Sequence, residues 1–234
     1  MSTSRTTAVS VRGRGPRALR ENLTRYVLYL AGCLVFAAGA TLFIHSDLGV
    51  DPLDVLSLGI LEHVPLTIGV AQAFIAAVCI AVWSLWNRRR PVVMPFVTFL
   101  LCGSLIDLML LADLEWIAPV PSLVLAVLLC AYGSSLIIMS GTGIRAMDLI
   151  VISLNQRWKV PFWCAKVGVE AVLLTLGWLL GGPVGIGTLA FLVFVDGLIQ
   201  PFMSFNSAVF HLANRGLERP GGVGGPVLED AGAR

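Results

Sequence analysis

Residues 39–54 read GATLFIHSDLGVDPLD, and residues 133–148, offset by 94 positions, read GSSLIIMSGTGIRAMD. Leucine, isoleucine and valine match cheaply between apolar segments. Gly39/Gly133, Gly49/Gly143 and Asp54/Asp148 do not. Further on, Val64-Pro65 matches Val160-Pro161, and Leu105-Ile106-Asp107 matches Phe194-Val195-Asp196. The chain therefore reads as an internal duplication, and the orientation of its halves depends on the number of membrane spans in each.

Spans are expected because 57% of the 234 residues are apolar and only 13% are charged, about half the charged share of a soluble domain. A membrane helix needs about 20 mostly apolar residues. The segments Tyr26–Ile44, Val64–Trp86, Val92–Ala112, Ser122–Ser140, Phe162–Leu180 and about Gly185–Met203 qualify. Polar or helix-breaking punctuation divides them, as in Asn87-Arg88-Arg89-Arg90-Pro91 and Gly181-Gly182-Pro183. Three spans per half is an odd number, so the second half must run opposite to the first, as in many secondary transporters.

Cytoplasmic loops retain Lys and Arg. Six arginines precede or open the first span, whereas residues 45–63 carry Asp47, Asp51, Asp54 and Glu62 and no Lys or Arg. The triplet Arg88–Arg90, then Arg145, Arg157 and Lys159, and finally Arg215 and Arg219 fall on the side of the N-terminus, while Asp113 and Glu115 fall opposite. Six spans with both termini cytoplasmic satisfy every loop.

Between the first and second spans, Asp51-Pro52-Leu53-Asp54 starts a helix with a capping side chain, Pro at N1 and an acid at N3. The apolar run that follows, Val55–Leu61, is too short to cross. It is expected to dip into the membrane as a short helix, with residues 145–156 as its counterpart. The predicted fold is thus an all-α integral membrane protein: six transmembrane helices in two inverted-topology three-helix repeats, each with a short membrane-dipping helix. Residues 21–115 form the first repeat and 116–210 the second; residues 1–20 and 211–234 read as disordered cytoplasmic tails.

Asp47-Leu-Gly-Val-Asp-Pro-Leu-Asp54, Leu66-Thr-Ile-Gly69-Val and Gly185-Ile-Gly-Thr188 resemble the YczE/YyaS/YitT group of bacterial multi-pass membrane proteins, YczE-like members in particular. The resemblance covers roughly residues 25–205, with Leu53 standing where an aromatic is common. It implies a helical fold in the bacterial inner membrane and supplies no substrate.

Charges inside a bilayer cost about 2.5–3.5 kcal/mol each at mid-span, so Asp107, Lys166, Glu170 and Asp196 need a reason. Asp107 and Asp196 are repeat partners, as are Asp54 and Asp148. These four can serve as helix caps and backbone ties or as a duplicated polar site. Lys166 and Glu170 lie on one helix face at i, i+4 spacing. Aligned on the Val-Pro pairs, the first half offers only Val70 and Phe74 in their place, so the scaffold does not require them. The structural alternative for Lys166 is snorkelling to the cytoplasm. Gln72 is a weaker candidate of the same kind.

The remaining motifs narrow the classes. There is no P-loop, H-E-x-x-H or G-x-S-x-G, and the three histidines are isolated, so no enzyme, cofactor or metal site is expected. The five cysteines sit singly in apolar runs without a C-x-x-C and read as small hydrophobes. A net charge of +2 without an aromatic-interleaved basic patch gives no case for nucleic acid. The expected function is secondary transport of a small solute, with the bilayer as surroundings and a cation or proton as coupling ion. The alternative is a non-transporting sensor or an assembly partner of an export or biosynthetic system.

Overall fold

The computed structural model describes residues 16–111, 118–143 and 145–210, and every regular element among them is helical. The order is α1 Pro16–Ser46, α2 Pro52–Leu61, α3 Ile68–Asn87, α4 Met94–Met109, α5 Pro119–Ser140, α6 Ala146–Trp158 and α7 Phe162–Leu179. The last helical stretch is α8 Ile186–Ala190, a π-helical turn at Phe191–Val195, and α9 Asp196–Phe210. Asn22–Ser46, Ile68–Asn87, Pro119–Ser140 and Ile186–Val209 are long and apolar enough to cross a membrane. α4 is apolar but shorter, about 24 Å at 1.5 Å per residue. α7 has 18 residues and carries Lys166 and Glu170.

Several boundaries differ from the sequence reading. α1 begins at Pro16, inside the segment read as a tail. Pro suits a first helical turn, and the following Arg17–Leu23 contains good helix formers. The remainder of both expected tails, with Asp113 and Glu115, lies outside the described residues. α3 starts at Ile68 because Thr67 caps it, its side chain accepting from Val70 N. The last helix continues past Met203 to Phe210.

α1 and α5 carry the matching sequence and pack against each other along their length. They are antiparallel. Ser122 Oγ donates to Leu42 O near one end, and Arg25 donates to Ser140 O and Gly141 O near the other. Arg25 thereby satisfies carbonyls at the C-terminus of α5, where a cation is favourable. The approach is close enough that a Cβ on Gly133 would sit 2.5 Å from Phe36 N.

Around this pair, α4 packs on α1 and α9 on α5. The short helices cross over: α2 packs on α7 as well as on α3, and α6 packs on α3 as well as on α7. Hydrophobic residues such as Phe43 and Phe191 fill the centre, their rings 5.8 Å apart. The outer surface is also apolar, with Phe74, Leu85, Trp178, Val193 and Phe194 all exposed. Buried polar residues within and apolar residues without is the pattern of a chain solvated by lipid.

Candidate functional site

The short helices bring their N-termini to the interior. Asp51 caps α2, its Oδ1 accepting from Asp54 N at 2.6 Å. Asp54 is therefore free to act elsewhere, and Gln72 Nε2 of α3 donates to its Oδ1 at 2.6 Å. Asp51, Asp54 and Gln72 are each at most 3% exposed. Among the described residues neither carboxylate has an ion-pair partner within 4.0 Å, and Gln72 Oε1 is buried with no hydrogen-bond partner.

The second half builds a different cluster at the start of α6. Arg145, the residue before the helix, has Nη2 3.2 Å from Glu170 Oε1 and Nε 3.6 Å from Asp148 Oδ2. Lys166 Nζ lies 2.5 Å from Asp196 Oδ1 and 3.8 Å from the same Glu170 Oε1. The α6, α7 and α9 charges thus form one chain: Asp148–Arg145–Glu170–Lys166–Asp196. Glu170 at its centre is 3% exposed, a burial tolerable because two cations share one of its oxygens. The π-helical turn ends immediately before Asp196, and such turns occur often at functional sites. Arg145 also lies within electrostatic reach of Asp51 and Asp54. Two cations therefore face five carboxylates.

Asp107 stands apart. Its Oδ1 and Oδ2 accept from Ile68 N and Gly69 N, each at 2.8 Å, satisfying two orphan donors at the start of α3. α3 and α4 meet there through glycines: a Cβ on Gly103 would lie 2.5 Å from Gly69 Cα. The tie holds the start of α3 to α4.

Burial corrects one register in the sequence reading. Val70 and Phe74 are 47% and 61% exposed, unlike Lys166 and Glu170. At the original offset of 94 the buried faces coincide: Ala71 with Ala165, Ala76 with Glu170, Cys79 with Leu173 and Trp83 with Gly177. Lys166 thus matches Gln72, and Glu170 matches Ala76. The Val-Pro coincidence misled because the connection before α7 is shorter than that before α3. In matched order the first half presents Asp51, Asp54, Gln72 and Ala76; the second presents Arg145, Asp148, Lys166 and Glu170.

Arg145 and Asp51 were missed as site residues, since Arg145 reads as a loop charge and Asp51 as a cap. The signal was present in the repeat, where Asp51 pairs with Arg145 and reverses the charge.

The family of unknown function DUF6198 matches residues 23–204, which takes in every residue of this cluster. The chain belongs to that family. Among its relatives is the "Uncharacterized membrane protein YczE" of Bacillus subtilis, 28% identical over 78% of this chain and 86% of the relative. Another is the "Uncharacterized protein YyaS" of the same organism, 27% identical over 82% of this chain and 98% of the relative. An uncharacterised protein of Haemophilus influenzae is 25% identical over 76% of this chain and 83% of its own length. No solved structure matches. Membership of the family, a relative named as a membrane protein and the long apolar helices make this a multi-pass membrane protein.

Proposed function

We propose that the protein is a secondary carrier of a small solute in the bacterial inner membrane. In this reading α1, α3, α4, α5, α7 and the α8–α9 stretch cross the bilayer as two inverted three-helix repeats, both termini cytoplasmic. The packing supports it: α1 with α4 is answered by α5 with α9, α2 with α3 by α6 with α7, and α2 with α7 by α6 with α3. The antiparallel α1 and α5 lie where a pseudo-two-fold axis would pass.

One observation carries the functional reading. Four matched positions near the meeting of the two halves are occupied by Asp51, Asp54, Gln72 and Ala76 in one and Arg145, Asp148, Lys166 and Glu170 in the other. A scaffold needs no buried charges there, whereas carriers place their binding groups at repeat interfaces near the midplane. The surplus of carboxylates favours a coupling cation or proton. The scaffold or sensor reading draws on a different fact, that Arg145 and Lys166 are both satisfied by ion pairs within the chain.

Proteoliposomes carrying the purified chain separate the two. Saturable uptake of at least one solute from a panel of amino acids, sugars, polyamines and organic acids is expected, with Glu170→Gln abolishing it in a variant that still melts cooperatively. Vesicles impermeable to the whole panel would favour the scaffold, whereas uptake indifferent to Glu170→Gln would keep transport and remove Glu170 from its mechanism.

A further inference from the structure

The outer face of α9 carries a polar side chain at a depth where lipid cannot solvate it. Tyr132 Oη donates to Asn206 Oδ1 at 3.3 Å, and Asn206 Nδ2 donates to Ser135 Oγ at 3.5 Å. The rings of Tyr132 and Phe202 meet edge-on at 5.5 Å. These contacts set α9 beside α5 and running in the same direction, with Phe202 level with Tyr132 and Asn206 level with Ser135. Gln200, two residues before Phe202, is therefore level with the middle of α5, Pro119–Ser140. It also falls near the centre of Ile186–Val209, the apolar stretch to which it belongs.

Gln200 is exposed and makes no hydrogen bond among the described residues. Asp196, one turn earlier, is committed to Lys166. The hydrocarbon core is about 30 Å thick, so a side chain as short as glutamine cannot return from its middle to either interface. Lipid tails offer the amide no partner, and an unmet polar group at that depth is costly. The surrounding face is open. Gly197, Gln200, Pro201, Ser204 and Ala208 recur at helical spacing, and all are exposed. A Cβ at Gly197 would meet nothing within 4 Å, which leaves room for another helix to approach. Pro201 has no N–H to return to Gly197 O, so the same face also presents a carbonyl acceptor. Only 28% of the α8–α9 apolar stretch is buried within the fold, against 56% in each of the other three long spans.

We propose that this face of α9 is the two-fold interface of a homodimer, with the Gln200 amides of the two copies hydrogen-bonded to each other across the axis. An axis along the membrane normal sets α9 parallel to its own copy and brings identical positions together. A neutral amide suits such a contact because it is both donor and acceptor, whereas a charged side chain would meet its like. Gly197 and Ser204 let the backbones come close while Gln200 supplies the polar tie, the combination on which membrane helices associate. The amide selects protein over lipid, and its self-complementarity selects a second copy over an unlike chain. The dimer is independent of whether the chain carries a solute.

Cross-linking in the membranes of cells expressing the full chain tests the assignment, in a Cys164→Ala background that leaves only buried native thiols. With a short bis-maleimide, Ser204→Cys on the proposed face should give a product of two chains. Phe74→Cys, exposed on α3, should not. Energy transfer between labelled copies in liposomes then measures the dimer, whose dissociation constant should rise about tenfold in Gln200→Leu. That substitution leaves an apolar side chain facing lipid and should keep a cooperative melt. Should it fail to fold, Gly197→Leu obstructs the approach of the second helix without touching the amide and is read by the same measurement. Monomers at every density, equal cross-linking at the two cysteines, or a dimer as tight in the variant as in the wild type would overturn the proposal. A Ser204→Cys product containing a different protein would overturn the choice of a second copy.

Discussion

Arg145 Nη2 and Glu170 Oε1 are 3.2 Å apart and join α6 to α7, although the position matching Arg145 in the first half is an aspartate. Glu170 is buried, and Arg145 compensates its charge. Removing either partner should therefore cost more than removing both. Arg145→Gln leaves Glu170, 3% exposed, with Lys166 as its remaining cation, a loss on the order of 3 kcal/mol. Arg145→Gln combined with Glu170→Gln should recover a large part of it, as read by thermal unfolding in detergent. A double variant no more stable than Arg145→Gln alone would show that the pair is not coupled.

Asp107 and Asp196 stand at matching places in the sequence but have different tasks, and their asparagine variants should separate. Asp107 accepts two backbone N–H groups of α3; Asp107→Asn keeps one acceptor and should lower stability by about 1–3 kcal/mol with no change in solute response. Asp196 instead binds the Lys166 ammonium, so Asp196→Asn should alter solute response more than melting temperature. The same thermal-shift series on both variants checks the split.

The main outline of this fold was legible because its signals are local or periodic. Apolar run lengths located the long helices, and Asp51-Pro52 announced the start of α2. The site was half legible. Lys166 and Glu170 stand out as charges in an apolar run, but their first-half counterparts depend on the length of the α2–α3 and α6–α7 connections. A two-residue error there turns a helix by about 200°, exchanging Gln72 for the lipid-facing Val70. The pairing of Arg145 with Glu170 is long-range and has no sequence period to reveal it.

Close packing of α3 on α4 makes a third expectation specific. A Cβ on Gly103 would lie 2.5 Å from Gly69 Cα and 2.9 Å from Gln72 Oε1. Gly103→Ala must push the two helices apart, and should destabilise by about 1–3 kcal/mol. At Gly168, by contrast, a Cβ would meet nothing within 4 Å. Gly168→Ala should be neutral or slightly stabilising, because alanine has the higher helix propensity. Parallel melting curves of the two variants provide the comparison.

The proposed orientation predicts opposite labelling at the two ends of α3. Glu62, just before that helix, and Arg88, just after it, are both exposed. Four of the native cysteines are buried and Cys164 is partly so, so a Cys164→Ala background isolates an introduced thiol. With the Lys- and Arg-bearing loops in the cytoplasm, Glu62→Cys should react with a membrane-impermeant maleimide on intact cells expressing the chain. Arg88→Cys should react only after the cells are opened. Reaction of Arg88→Cys in intact cells would reverse the orientation. Reaction of both in intact cells would mean that α3 does not cross, and the six-span arrangement would fall with it.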